Sequence, residues 1–272
     1  ALTLIRERRL LRAALRGDTS PLRGLQALSG PHLTSLLRRL GRDERRPDAA
    51  QRLLRSAQAN AVEANVIHYN TVLDAYSKAS DWATVSKLLC DMAAAKVQKD
   101  VISCNAALAA CTGDGGWLRA VSLLQAMQEE TIRSDTTSYN IAISAFAKSA
   151  LWSEALGFLH GMSRQRVPYQ SDTVNSVMAA CNKAGNWPTA LALLAELPQW
   201  QLQTDIFSFG SAITACAEGG LWELGLDFLD QLTGQSLVPN VIIRNAAITA
   251  CANAGEWQPA LALLNAEGPR DT

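Results

Sequence analysis

The chain has 272 residues, 48% of them hydrophobic, and its 25 basic and 25 acidic residues leave a formal net charge of zero. It is long and apolar enough to bury a large core, yet no stretch approaches 18 apolar residues without polar interruption, which argues against a membrane span. Three histidines, six cysteines and no C-x-x-C pair argue against a zinc site, so neither metal nor cofactor is expected.

The charge is zero because two unlike segments cancel. Residues 1–55 carry thirteen arginines against five acidic residues, a balance of +8, while residues 56–272 carry twelve basic against twenty acidic, a balance of −8. Residues 1–30 read as one or two arginine-rich helices forming a basic N-terminal cap, because the end of a stack needs a polar outer face. A phosphate-contacting cap, the remains of an organelle-targeting segment and a solvated helical surface all stay open for it. The chain lacks an initiating Met and is expected to begin after some processing or trimming.

Residues 31–65 form a divergent first repeat: HLTSLLRRLGR, a break near Asp43 and Pro47, then DAAQRLLRSAQANAVEAN, with Pro47 in the place the tryptophan takes in later units. From Val66 onward the sequence repeats every 35 residues, in units 66–100, 101–135, 136–170, 171–205, 206–240 and 241–272. The seventeenth place is always tryptophan (Trp82, Trp117, Trp152, Trp187, Trp222, Trp257) and the tenth always alanine (Ala75, Ala110, Ala145, Ala180, Ala215, Ala250). The twenty-fourth is always leucine, from Leu89 to Leu264. Columns that hold phase without an insertion mark one structural unit copied in tandem. Such a stack presents a long repeated surface and no single catalytic cleft.

Each unit reads as helix–turn–helix, which makes the fold class all-α. In the unit beginning at Val101 an alanine-rich stretch ends at Gly113, Gly115 and Gly116, since glycine is costly inside a helix and suits its end. Trp117, Ala120, Val121, Leu123, Leu124 and Met127 then fall on one helix face. Pro188 and Pro259 stand just after their tryptophans, where a first helical turn tolerates proline. The tryptophans are expected to wedge against the preceding helix and the next unit, with base stacking as the alternative. Cys111, Cys181, Cys216 and Cys251, at the eleventh place, read as small buried hydrophobes in a reducing compartment.

Two columns are polar where packing alone asks for nothing polar. One is the fifth place, with Asn70, Asn105, Asn140, Asn175 and Asn245 and the exception Gly210; the other is the last, with Asp100, Asp135, Gln170, Asp205 and Asn240. Capping of the following helix accounts for the last place. It does not account for asparagines five residues further on, where the residue mildly disfavours helix. An amide offers donors and an acceptor to the edge of an unpaired base, and a neighbouring carboxylate could orient it. Repeated along a shared inner groove, the pair would read one base per repeat; capping and packing are the competing reading.

The 35-residue period, the segments HYNTVLDAYSKASDW and SYNIAISAFAKSALWSEAL and the link VQKD resemble the pentatricopeptide repeat family, closely over residues 66–272 and more loosely over 31–65. The resemblance implies a right-handed α-solenoid superhelix, monomeric, that binds single-stranded RNA in an organelle, the chloroplast ahead of the mitochondrion. Its implied work is RNA processing, stability or translation, with processing-factor proteins as further partners. The fifth and last residues of each repeat would read the base. Asn70 with Asp100, Asn105 with Asp135 and Asn175 with Asp205 resemble the uracil-preferring pair, and Ser35 with Asn65 resembles an adenine reader. Asn140 with Gln170 departs from the common pairs and implies a loose pyrimidine reader. Gly210 with Asn240 leaves its base open, and Asn245 has no partner within the chain. The implied target is A-U-U-Y-U-N-Y, where Y is a pyrimidine. Ile67, Ile102, Thr137, Asp172, Phe207 and Ile242, at the second place, would sandwich the bases. Lys78, Lys148 and Lys183, at the thirteenth, face either phosphates or solvent.

An enzyme is not expected: the sequence has no zinc-deaminase signature and no phosphate-binding glycine loop. The competing function is a helical scaffold that uses the same concave surface for protein ligands, which the acidity of residues 56–272 suits. Exchanging Asn105 and Asp135 together is expected to change one base preference without unfolding the chain, on the premise that neither sits in the core.

Overall fold

A computed structural model describes residues 30–43, 46–60, 62–113 and 116–265. The expected basic cap over residues 1–30 lies outside them except for Gly30. The described residues are all helix, turn and link, with no strand. Contacts group the chain into two bodies, residues 1–141 and 142–272.

The first body begins with α1 (Gly30–Arg38), which continues as a π-helical turn (Arg39–Asp43), and α2 (Pro47–Ala59). Then come α3 (Val66–Lys78), α4 (Trp82–Ala94), α5 (Val101–Ala110), α6 (Trp117–Glu129) and the start of α7 (Thr136–Lys148). The loosely matching segment is a helix pair like the others. Leu33, Leu36, Leu37 and Leu40 meet Ala50, Leu53 and Leu54 of α2 and Tyr69, Val72 and Leu73 of α3 in one buried cluster. Each fully buried leucine contributes roughly 1.5–3 kcal/mol by leaving water. Along this body α3 packs on α4 and α5, and α4 on α5.

The second body holds the rest of α7, then α8 (Trp152–Arg164), α9 (Ser171–Lys183), α10 (Trp187–Glu196) and a 3-10 turn (Leu197–Trp200). It ends with α11 (Ile206–Gly219), α12 (Trp222–Gly234), α13 (Val241–Ala254) and α14 (Trp257–Asn265). First helices of successive repeats stack directly, α9 on α11 and α11 on α13. The alanine column makes that approach short: Ala180, Ala215 and Ala250 are fully buried. Pro198, which lacks an amide hydrogen, stands just past the end of α10, and the chain continues as the 3-10 turn.

The tryptophans open second helices as expected, but they are wedges at the rim and not core residues. Five are half-buried and Trp257 is exposed. They do reach the next repeat. The Arg119 guanidinium lies 5.7 Å from the Trp82 ring centre, and a Cβ on Gly219 would stand 2.9 Å from Trp187 Cδ2. In α6 the buried stripe narrows to Ala120, Leu124 and Met127, with Trp117, Val121 and Leu123 at its margins. Gly116 is required where it is, since a Cβ there would collide with the Cys111 carbonyl oxygen at 1.4 Å. The four eleventh-place cysteines are buried and unpaired, and burial pushes the Cys111, Cys181 and Cys216 thiols up to about 11. They are inert packing groups.

Candidate functional site

The last residue of a repeat is the N-cap of the next first helix. Asp100 Oδ1 accepts from the Ser103 backbone amide at 2.8 Å, Asp135 Oδ1 from Ser138 at 2.8 Å, and Asp205 Oδ1 from Ser208 at 2.7 Å. Asn65 and Asn240 cap in the same way through His68 and Ile243. Gln170, one methylene longer, makes no side-chain cap. Asp100 and Asp205 head full capping boxes, with a serine at N3 accepting the cap residue's own amide.

The same carboxylates hold the fifth-place amides, so the two polar columns form one network. Asn70 Nδ2 donates to both oxygens of Asp100 at 3.0 and 3.1 Å. Asn105 Nδ2 donates to Asp135 Oδ1 at 3.1 Å, and Asn175 Nδ2 to both oxygens of Asp205 at 3.1 and 3.2 Å. A carboxylate only accepts, so it fixes which end of each amide faces it. Burial is the largest influence on Asp100 and Asp135 and pushes their carboxyls upward. The serine backbone amide, the asparagine amide and the serine hydroxyl together outweigh it, and both stay below the usual aspartate range.

These amides are neither turned to bulk solvent nor sealed away. Asn70 is 9% exposed and Asn175 8%, while Asn105 is half-buried. Asn70, Asp100 and Asn105 line one cleft of about 520 Å³ in the first body, together with Ile67, Ile102 and Thr137. The second-place residues stand proud: Ile67, Ile102, Phe207 and Ile242 are 54%, 63%, 67% and 75% exposed. Thr137 and Asp172 are exposed at the same place. The cleft therefore has apolar side walls and an amide–carboxylate floor.

Other expected site residues lie differently. The Ser35 hydroxyl donates to the His32 carbonyl at 3.0 Å, while Asn65 is occupied in capping α3, so the structure draws no bond between them. Asn140 is half-buried on α7 and Gln170 exposed ahead of α9. Asn245 is exposed on α13. At Gly210 an added Cβ would meet Ile243 Cγ1 at 3.3 Å, so that slot is filled from the next repeat. The thirteenth-place lysines end their helices, where cations are favoured. Lys78 Nζ donates to Asp74 Oδ2 at 2.7 Å, and Lys183 Nζ donates to the Lys148 backbone carbonyl.

Asn105 and Asp135 both lie outside the core, as expected. Asp135 caps α7 and holds Asn105, so exchanging the pair should cost about 1 kcal/mol of capping stability. Sequence reasoning passed over the third place, where Ser103, Ser138, Thr173 and Ser208 form a hydroxyl column broken by His68 and Ile243. A hydroxyl three residues after an aspartate was a legible capping signal. No group of residues suited to a metal ion occurs among the described residues, and none of their helices is long and apolar enough to cross a membrane.

Comparison with known proteins places this geometry in context. The family described as pentatricopeptide repeat-containing protein matches residues 102–226, and the PPR repeat itself matches residues 67–97. Among solved structures, the pentatricopeptide repeat protein PPR10 from maize is similar at a TM-score of 0.68 and 25% identity, over 96% of this chain and 38% of that one. PPR10 in complex with an 18-nt psaJ RNA element is similar at a TM-score of 0.65 and 25% identity, over 96% and 37%. The PPR domain of Arabidopsis thaliana protein-only RNase P 1, in complex with tRNA, shares the fold at a TM-score of 0.55 and 18% identity, over 64% of this chain and 91% of that domain. The chain thus spans well under half the length of the PPR10 chains it matches. No curated protein matches its sequence.

Proposed function

The chain belongs to the pentatricopeptide repeat family, and on that premise we propose that it binds single-stranded RNA without cutting it and reads one base per repeat. The observation that carries the proposal is the amide–carboxylate pair, repeated at Asn70–Asp100, Asn105–Asp135 and Asn175–Asp205. Each amide is held by its carboxylate below exposed second-place residues. One amide hydrogen satisfies the carboxylate and leaves the second for a base carbonyl. A carboxylate oxygen then accepts a ring N–H. Uracil offers that carbonyl and N–H side by side, and Ile67, Ile102, Phe207 and Ile242 supply apolar surface on which bases stack. The RNA-bound maize relative supports the ligand class.

The proposed target is A-U-U-Y-U-N-Y, and the engagement of Ser35 with His32 and the filled slot at Gly210 make its first and sixth bases the least determined. The organellar address, plastid before mitochondrion, and the role in RNA processing, stability or translation belong to the same proposal. Imaging the natural protein in cells tests the address.

The direct test is binding of the chain to a labelled AUUUU-type oligomer and to its scramble at one stated salt concentration. The proposal requires the first to bind at least about tenfold more tightly, the order of one well-formed base contact. Equal or absent binding would overturn it and leave the protein scaffold, which the −8 balance of residues 56–272 favours.

A further inference from the structure

Three of the base-facing asparagines have a partner that neither polar column supplies. The Ser103 hydroxyl donates to Asn70 Oδ1 at 2.6 Å, Ser138 to Asn105 Oδ1 at 2.6 Å, and Ser208 to Asn175 Oδ1 at 2.8 Å. Each serine is the third residue of the following repeat, and its hydroxyl also lies 2.9 Å from the carboxylate that grips the same amide. Ser103, Ser138 and Ser208 are fully buried. The amide is thus clamped at both ends: its nitrogen by the carboxylate, its oxygen by the hydroxyl.

We propose that the third residue of the next repeat is a specificity-determining member of each reading site, setting base choice by occupying the asparagine oxygen. With the oxygen engaged, the amide presents only an N–H to the groove and favours a base that offers a carbonyl. With the oxygen released, it can turn and accept from a base N–H as well, and discrimination falls. This rests on the base-reading proposal above and adds a residue to it.

The chain carries its own counter-example. In the sixth repeat the third residue is Ile243, buried at 3% exposure, which still caps through its backbone amide but has no hydroxyl to give. Its side chain occupies the space beside Gly210, where the amide would otherwise sit. Hydroxyl and amide are lost together there. At the first full repeat the third residue is His68, whose ring is spent on the Asn65 amide and the Gly30 carbonyl, and Ser35 is left to bond with His32.

The test reads base preference with oligomers that differ only at the base facing one repeat. Gly210→Asn with Asn240→Asp should leave the base of the fifth repeat unselected, within about twofold. Adding Ile243→Ser should install a uracil preference of about tenfold. Full preference in the double variant would overturn the proposal. In parallel, Ser138→Ala should lower uracil preference at the base of the second repeat about tenfold, and Ser138→Thr should retain it, with thermal unfolding recorded for both. Unchanged preference in Ser138→Ala would likewise refute the role of the hydroxyl while base reading stands. If the unaltered chain shows no uracil preference opposite Asn70, Asn105 or Asn175, base reading itself fails.

Discussion

An asparagine inside a helix is a mild liability, because its side chain competes for backbone hydrogen bonds. Asn70, Asn105 and Asn175 avoid that competition because carboxylate and hydroxyl occupy both ends of the amide. Charge is part of the arrangement, and it titrates. The Asp100 carboxyl is depressed in the folded chain, so its stabilisation is complete above the ordinary aspartate value of 3.8 and is lost as pH falls through the lower folded value. Asp100→Asn keeps a capping side chain of the type Asn65 and Asn240 supply but removes the titrating group. The wild type should be more stable than this variant by about 1 kcal/mol at neutral pH, with the margin closing only below about pH 4. Melting temperatures of both proteins from pH 3 to 7 measure it; a constant margin would mean the carboxylate charge does not contribute.

Among the described residues, two turn positions of the repeat use one left-handed residue. The thirty-first place does so at Lys96, Thr131, Arg166, Gln201 and Ser236, and the fifteenth at Ser80, Ala150, Gly185, Gly220 and Gly255. Glycine adopts this conformation freely, whereas an L side chain crowds the following carbonyl oxygen at a cost of roughly 1–2 kcal/mol. Ala150, at φ 56°, carries that strain with no side-chain function to offset it. Ala150→Gly should therefore stabilise the chain by about 0.5–1 kcal/mol after glycine's greater unfolded-state freedom is subtracted. Chemical denaturation would show it as a higher midpoint at unchanged slope. A lower midpoint would mean the methyl group packs more favourably than the turn is strained.

At the scale of the molecule, stability is a sum of repeat and nearest-neighbour contributions, and binding is governed by where the charge sits. Residues 56–272 are net acidic, and two of the thirteenth-place lysines, Lys78 and Lys183, are already engaged by the protein. Each phosphate contact to a single strand steepens the salt dependence of log K by about 0.7. Lys78→Met and Lys183→Met should each change that slope by less than about 0.3 across a salt titration of RNA binding. A drop of about 0.7 in either would restore that lysine to the phosphate track.

Periodicity alone determined the helix pairs, their starts at the tryptophans and the alanine seam, because a tandem copy repeats its local propensities and its packing demands in every unit. The loosely matching residues 31–65 were legible for the same reason: Leu33, Leu36, Leu37 and Leu40 follow helical spacing. The capping aspartates were visible too, since a cap acts within three residues of its own position. What only the tertiary structure decided spans 30 residues or more. It bonded Asn70 to Ser103 as well as to its expected partner Asp100, turned Lys183 onto the Lys148 carbonyl, and filled the slot at Gly210 with Ile243. Residues that distant in the chain meet only once neighbouring hairpins have stacked, and the hydroxyl partner of each amide is set by that approach and by no local pattern.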